Sequence, residues 1–121
     1  MKIYEYSGCS TCKKALKFLK DRGVQFEQIP IVETPPSKAE LKKMLGYLRQ
    51  RGGDLNKLFN TSGVLYREMK VSERLKGGMT ENEALDLLAA NGKLIKRPFL
   101  LTDKSGAVGF KEDDWKALLD A

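Results

Sequence analysis

The chain has 121 residues, 41% of them hydrophobic and 31% charged, which is one domain's worth with enough apolar residues for a core; this excludes a disordered polypeptide and leaves no room for two independent cores. Its net charge of +6 suits anionic partners, but the excess sits mainly in 13–22 and 38–57, on helix-patterned segments where it is equally a solvated face. There is no basic tail and no interleaving of aromatic and basic residues, so direct nucleic-acid binding is not expected, and no apolar run is long enough to span a bilayer.

The N-terminus, MKIYEYSGCS, reads as a strand and a loop rather than an apolar signal sequence, so the cytoplasm is the expected compartment. Residues 2–6 (KIYEY) set Ile3 against Tyr4 and Tyr6 in alternation and stop at Ser7-Gly8, which predicts a strand followed by a tight loop. From Cys12 the period changes. Ala15, Leu16, Phe18 and Leu19 form a helical stripe with lysines at 13, 14, 17 and 20 opposite, and Gly23 is a helix-stop signal. Residues 24–29 (VQFEQI) read as a second strand, so the chain opens with a βαβ unit whose crossover should be right-handed.

Pro30 and Pro35-Pro36 then break the pattern. Ser37 and Glu40 make a capping box, and Leu41, Met44, Leu45 and Leu48 follow at helical spacing as far as Gly52-Gly53. Residues 54–59 (DLNKLF) predict a short helix capped by Asp54, 60–63 (NTSG) a turn, and 64–71 (VLYREMKV) another helical piece. Thr80 and Glu83 form a second capping box ahead of Leu85, Leu87, Leu88 and Ala89, closed by Asn91-Gly92. The chain returns to strand at 98–102 (PFLLT), turns at 103–106 (DKSG) and runs back through AVGF. It ends in a helix, KEDDWKALLDA, with Trp115, Leu118 and Leu119 on one face. The order β-α-β, helices, β-β-α predicts one α/β domain over 1–121, with 37–91 as a helical insertion packed on the sheet.

Cys9 and Cys12 are the two cysteines, and histidine is absent. Two such ligands cannot complete a four-ligand zinc site within one chain, so no metal is expected. A structural disulfide across so short a loop would stabilise little. In a cytoplasmic protein the Cys-x-x-Cys spacing is more often redox-active. Cys9 falls at the strand–helix join, where free first-turn N–H groups and the partial positive charge of the helix favour a thiolate, with Lys13 and Lys14 as candidate cations. Without an imidazole, Cys-His nucleophilic catalysis is excluded. Cys12, one turn on, can reach the Cys9 sulfur and resolve a mixed disulfide. The alternative is a pair of buried, inert thiols; Gly8 and the polar Ser10-Thr11 argue against burial. Pro98, in KRPF (96–99), stands where a strand can begin without losing a ladder bond. It could equally be a cis-proline facing the cysteines, with Arg97 beside it to hold an anion, and the sequence leaves the isomer open.

In order along the chain, YSGCSTCKKALKFL, PPSKAELKKML, LFNTSGVLYREM, LIKRPFL and VGFKEDDW resemble the arsenate reductase/Spx-like branch of the thioredoxin fold, and the resemblance covers nearly the whole chain. It implies a glutaredoxin-like core, a mixed four-stranded sheet with a helical insertion. Cys9 matches the nucleophilic cysteine, Cys12 the second cysteine of the Spx-type pair, and Arg97 and Pro98 the arginine and cis-proline that bind an oxyanion or sense the state of the cysteines. The glutathione-coupled arsenate reductases use three arginines around the arsenic. The first of these falls at Asn60 here, the last near Phe110 with only Lys111 close, and Lys13 replaces an arginine one turn after the cysteine. Lysine cannot reproduce the bidentate fork of arginine.

The resemblance therefore implies, first, a thiol–disulfide oxidoreductase with Cys9, Cys12 and Arg97 as its catalytic group. Gly8, Ser10, Thr11, Lys13, Asn60 and Pro98 are its candidate anion-binding surface. No cofactor is expected to be bound; glutathione, another low-molecular-weight thiol or thioredoxin would donate electrons, and a monomer is expected. The second reading is arsenate reduction. The third is an Spx-like regulator that binds the RNA polymerase α subunit, although this chain ends at WKALLDA, short of the C-terminal tail of Spx regulators.

Overall fold

The computed structural model describes residues 1–120; Ala121, the last residue of the predicted terminal helix, lies outside them. The chain runs β1 (Lys2–Glu5), α1 (Ser10–Asp21), β2 (Glu27–Pro30), α2 (Lys38–Gln50), a 3-10 turn (Leu55–Leu58), α3 (Val64–Glu68), α4 (Val71–Lys76) and α5 (Glu81–Ala90). A second 3-10 turn (Gly92–Leu94), β3 (Phe99–Leu101), β4 (Gly106–Val108) and α6 (Glu112–Asp120) follow. The strands form one mixed sheet in the order β2-β1-β3-β4. β1 pairs parallel with β2 and antiparallel with β3, which pairs antiparallel with β4.

The alternation seen in the sequence divides this sheet into two buried faces. Successive strand residues point to opposite sides. Ile3 and Leu100 pack with Ala15 and Leu19 of α1 and Trp115 of α6. Tyr4, Phe99 and Leu101 pack on the other side with Leu41, Met44, Leu45 and Leu48 of α2 and Ala84, Leu85 and Leu88 of α5. Each fully buried leucine is worth about 1.5–3 kcal/mol of transfer free energy. Both capping boxes form: Ser37 Oγ accepts from the Glu40 N–H and Thr80 Oγ1 from the Glu83 N–H, each at 3.1 Å. On the sheet side of α2, Tyr4 donates its hydroxyl to Glu40 at 2.7 Å. Burial and this carboxylate push the Tyr4 phenol well above its usual range.

Three local expectations shift. The second strand begins at Glu27, not Val24, because the Val24 N–H still bonds the Leu19 carbonyl at the end of α1. Val24 and Phe26 instead pack on the α1 side of the sheet. Pro30 sits inside β2, which tolerates it because β2 is an edge strand whose outer backbone needs no partner. Asp54 precedes a 3-10 turn and makes no side-chain cap; its carboxylate pairs with Arg49 at 3.0 Å instead.

Gly92 was expected only as a helix stop, but it opens a 3-10 turn pressed against the end of β2. A Cβ there would stand 2.0 Å from the Ile31 carbonyl oxygen, a backbone atom that cannot swing aside. Gly92→Ala is therefore expected to destabilise the protein by about 1–3 kcal/mol, the usual cost of overpacking. Urea titration checks it: the midpoint should fall with the slope unchanged.

Candidate active site

β1 ends at Glu5, and a four-residue loop carries the chain to α1. The loop closes where the Cys9 N–H donates to the Tyr6 carbonyl at 3.0 Å. Cys9 is the residue before the first helical turn, with extended backbone (φ −98°, ψ 114°). Its sulfur accepts the Cys12 N–H at 3.3 Å. A thiol thus occupies the position usually filled by serine, threonine, asparagine or aspartate, where a side chain satisfies an orphan N–H of the first turn. The Lys13 N–H bonds the Cys9 carbonyl at 3.2 Å.

The two thiols have different surroundings. Both are free, Cys9 half-buried and Cys12 buried. The expectation that the pair lies outside the core therefore fails for Cys12. The signal was present: Cys12 precedes Ala15 and Leu19 by three and seven residues, so it shares their buried face of α1. Burial, with a smaller contribution from the hydrogen bond to Cys9, pushes the Cys12 thiol up to about 12. The Tyr6 backbone opposes this, while the Cys9 and Glu5 charges add to it.

The Arg97–Pro98 peptide is cis, one of the two states that the sequence left open. Pro98 is buried, and its carbonyl accepts the Gly109 N–H at 2.9 Å. Because Tyr4 pairs with Phe99 across β1 and β3, the segment before β3 lies beside the end of β1 and its cysteine loop. The Arg97 guanidinium carbon sits 4.6 Å from the centre of the Tyr6 ring. Its Nη1 is buried and has no hydrogen-bond partner among the described residues. Buried polar groups are normally paired, so this is a donor that an incoming anion would satisfy.

Tyr6 is the site residue that the sequence reading missed. It was assigned to the first strand, but it lies past the strand end, 39% exposed. It underlies Arg97, and a Cβ on Gly8 would come within 3.0 Å of its ring. No local pattern signals this, since Arg97 is ninety-one residues away in the sequence.

Ser10 and Thr11 are exposed in the first turn of α1. Thr11 and Arg97 both line a cleft of about 950 Å³. Lys13 is exposed, and its ammonium pairs with no carboxylate among the described residues. Asn60 is held by backbone to the segment before Arg97: its N–H donates to the Leu94 carbonyl at 2.8 Å, and the Lys96 N–H donates to the Leu58 carbonyl at 2.7 Å. The Asn60 side chain lies over Gly63, where a Cβ would come within 2.7 Å of its amide nitrogen.

A sequence model of the ArsC family matches residues 4–118. The YusI protein of Bacillus subtilis is 46% identical over 114 residues, covering 94% of this chain and 93% of that protein. The global transcriptional regulator Spx of Streptococcus mutans is 30% identical over 114 residues, covering 92% of this chain and 77% of that one. The crystal structure of an ArsC family related protein from Bacteroides fragilis superposes with a TM-score of 0.87 at 42% identity, covering 97% of this chain and 95% of that one. A mixed four-stranded sheet flanked by helices, with two cysteines where the first strand meets the first helix, is a thioredoxin-like architecture. Within that class, the chain belongs to the ArsC family. Among the described residues no helix is long and apolar enough to cross a membrane.

The raised Cys12 value makes stability depend on pH. In reduced protein the folded state keeps a proton that the unfolded chain releases near the ordinary value of 9.0. This contribution is fully present below pH 9.0 and is lost as pH rises toward about 12. Cys12→Ala should therefore lose stability less steeply than wild type over that window. Denaturant titrations of both proteins under reducing conditions at several alkaline pH values check it, and equal slopes would refute it.

Proposed function

We propose that this chain is a cytoplasmic thiol–disulfide oxidoreductase in which Cys9 is the nucleophile and Cys12 the resolving thiol. The observation that carries it is the Cys9 sulfur at the entry to α1, accepting the N–H of Cys12 at 3.3 Å. The partly exposed sulfur faces the free N–H groups of a helix start, and the second thiol is held one turn away. The burial of Cys12 fits the division of labour, because a thiol held protonated does not compete for the substrate.

The reaction runs in two displacements. Cys9 thiolate attacks one sulfur of a substrate disulfide; a Cys9–substrate disulfide forms, and the other substrate sulfur leaves as thiolate. Cys12 then gives its proton to solvent or to that thiolate and attacks the Cys9 sulfur, expelling the second substrate sulfur. Two electrons have passed to the substrate and a Cys9–Cys12 disulfide is closed. Glutathione, another low-molecular-weight thiol or thioredoxin returns the electrons. Arg97, with one donor unpartnered beside the cysteine loop, stabilises negative charge on the departing sulfur. Thr11, which lines the same cleft as Arg97, is assigned in this reading to an anion-binding surface with Gly8, Ser10, Lys13, Asn60 and Pro98.

Arsenate reduction is a second reading, favoured by that unpartnered Arg97 nitrogen. The further arginines of the glutathione-coupled reductases fall at Asn60 and near Phe110, with only Lys111 close, so the oxyanion would lose two bidentate partners. Arsenite formation with glutathione or thioredoxin systems tests it. The 30% identity to Spx supports a third, a redox switch on a regulator that binds RNA polymerase. Capture by the C-terminal domain of the polymerase α subunit would show it.

Two sets of variants test the leading reading. Cys9→Ser should reduce a model disulfide no faster than the uncatalysed reaction. Cys12→Ser should instead accumulate a stable mixed disulfide, visible by intact-mass measurement, and full turnover by either variant would refute the assigned roles. Tyr6 acts through Arg97 as a positioning residue. Tyr6→Phe keeps the ring face and should retain kcat/KM, whereas Tyr6→Leu should lower it about fivefold, the equivalent of a cation–π contact of about 1 kcal/mol. Equal effects of the two substitutions would remove the role.

A further inference from the structure

The cleft of about 950 Å³ that Thr11 and Arg97 line includes neither cysteine in its wall, and the proposed chemistry uses only those two of its residues. Its rim carries Arg51, Lys57, Lys96, Arg97 and Lys111, against a single carboxylate, Asp114. Arg51 is committed to the hairpin, bonding Ser105 Oγ and the Gly106 carbonyl. The other four cations pair with no carboxylate among the described residues.

Between the charged residues the cleft is lined by apolar groups, of which the half-buried Phe110 and Val108 reach the surface while Trp115 is only 1% exposed and backs Phe110 from the core. The rings of Phe110 and Trp115 meet edge to face at 4.9 Å, and the Trp115 N–H is bonded to the Gly109 carbonyl at 3.1 Å. The residues Ala107 and Val108 on the wall belong to β4, an edge strand of the sheet. An edge strand beside a groove suits an extended chain, with backbone contacts along the strand and side chains in the trough. A phosphate-only ligand would leave the accessible apolar surface of Phe110 and Val108 unused.

We infer that this groove docks an extended acidic segment of the protein whose disulfide Cys9 reduces, with an apolar residue against the half-buried Phe110 and Val108 and Asp or Glu residues on either side. The inference rests on the oxidoreductase reading and gives it a substrate class: disulfides flanked by acidic residues. Rim cations of this kind act through steering and orientation, so the preference should weaken as salt screens them over a Debye length of about 8 Å at physiological ionic strength.

The test separates docking from chemistry. Fluorescein-labelled, cysteine-free peptides of one length, with a central leucine and acidic, neutral or basic flanks, are titrated with reduced full-length protein and followed by anisotropy. The acidic peptide should bind at least tenfold tighter than the neutral one at low salt, and most of that ratio should vanish at high salt. Lys57→Glu with Lys96→Glu should collapse the ratio; the milder Lys57→Gln with Lys96→Gln should halve it or more, with folding checked by circular dichroism. Matching peptides carrying a disulfide should give the same order in kcat/KM. An acidic peptide that binds no better than the neutral one, or a ratio indifferent to salt and to both variants, would overturn the groove assignment while leaving Cys9 chemistry untouched. Selective binding with no reduction of any peptide would instead strike the oxidoreductase reading and leave the groove's choice of segment standing.

Discussion

The N–H of Cys12 donating to the sulfur of Cys9 is the contact around which the site is organised. A helix start has backbone donors that need acceptors, and the acceptor comes from the residue before the first turn. Placing cysteine there aims a sulfur at the helix entrance, and the three-residue spacing follows from the same geometry. One turn further on, position 12 faces the sheet rather than solvent, so the second sulfur is buried by the periodicity that builds the helix. Two chemically identical side chains thus become unequal through their places on one helix alone.

The sheet then brings a distant segment to this helix start. Strand alternation sends Ile3 and Leu100 to one face and Tyr4 and Phe99 to the other, which fixes the register of β3 against β1. A shift of one residue would turn every one of these side chains to the wrong side. The same register leaves Arg97 and Pro98 beside the loop that holds Cys9. The guanidinium is held over Tyr6 rather than by a carboxylate. That arrangement keeps its charge uncompensated by any carboxylate among the described residues, as the proposed role of Arg97 requires.

The positive charge of the chain is distributed by the fold as well as by composition. Lys17 of α1 and Lys38 and Arg49 of α2 are spent on exposed pairs of small individual worth. Those around the cleft come from four separate places, the turn after α2, the segment before β3, the end of α2 and the approach to α6. Each alone looks like an ordinary surface lysine or arginine; only as a group do they give the cleft a mostly positive rim.

Much of the architecture could be read from local pattern. The helices over 10–21, 38–50 and 81–90, both capping boxes and the closing hairpin announce themselves through 3.6- and 2-residue periods and their end signals, because those signals come from interactions within a few residues. The Cys-x-x-Cys placement was legible for the same reason. The fit of Gly92 against Ile31, the isomer of Pro98, the Tyr6–Arg97 stack and the gathering of cations around the cleft were decided only in the folded chain. Each depends on which backbone or ring comes to lie next to a residue from far along the sequence, and nothing within one turn of helix or one pair of strand residues encodes that neighbour.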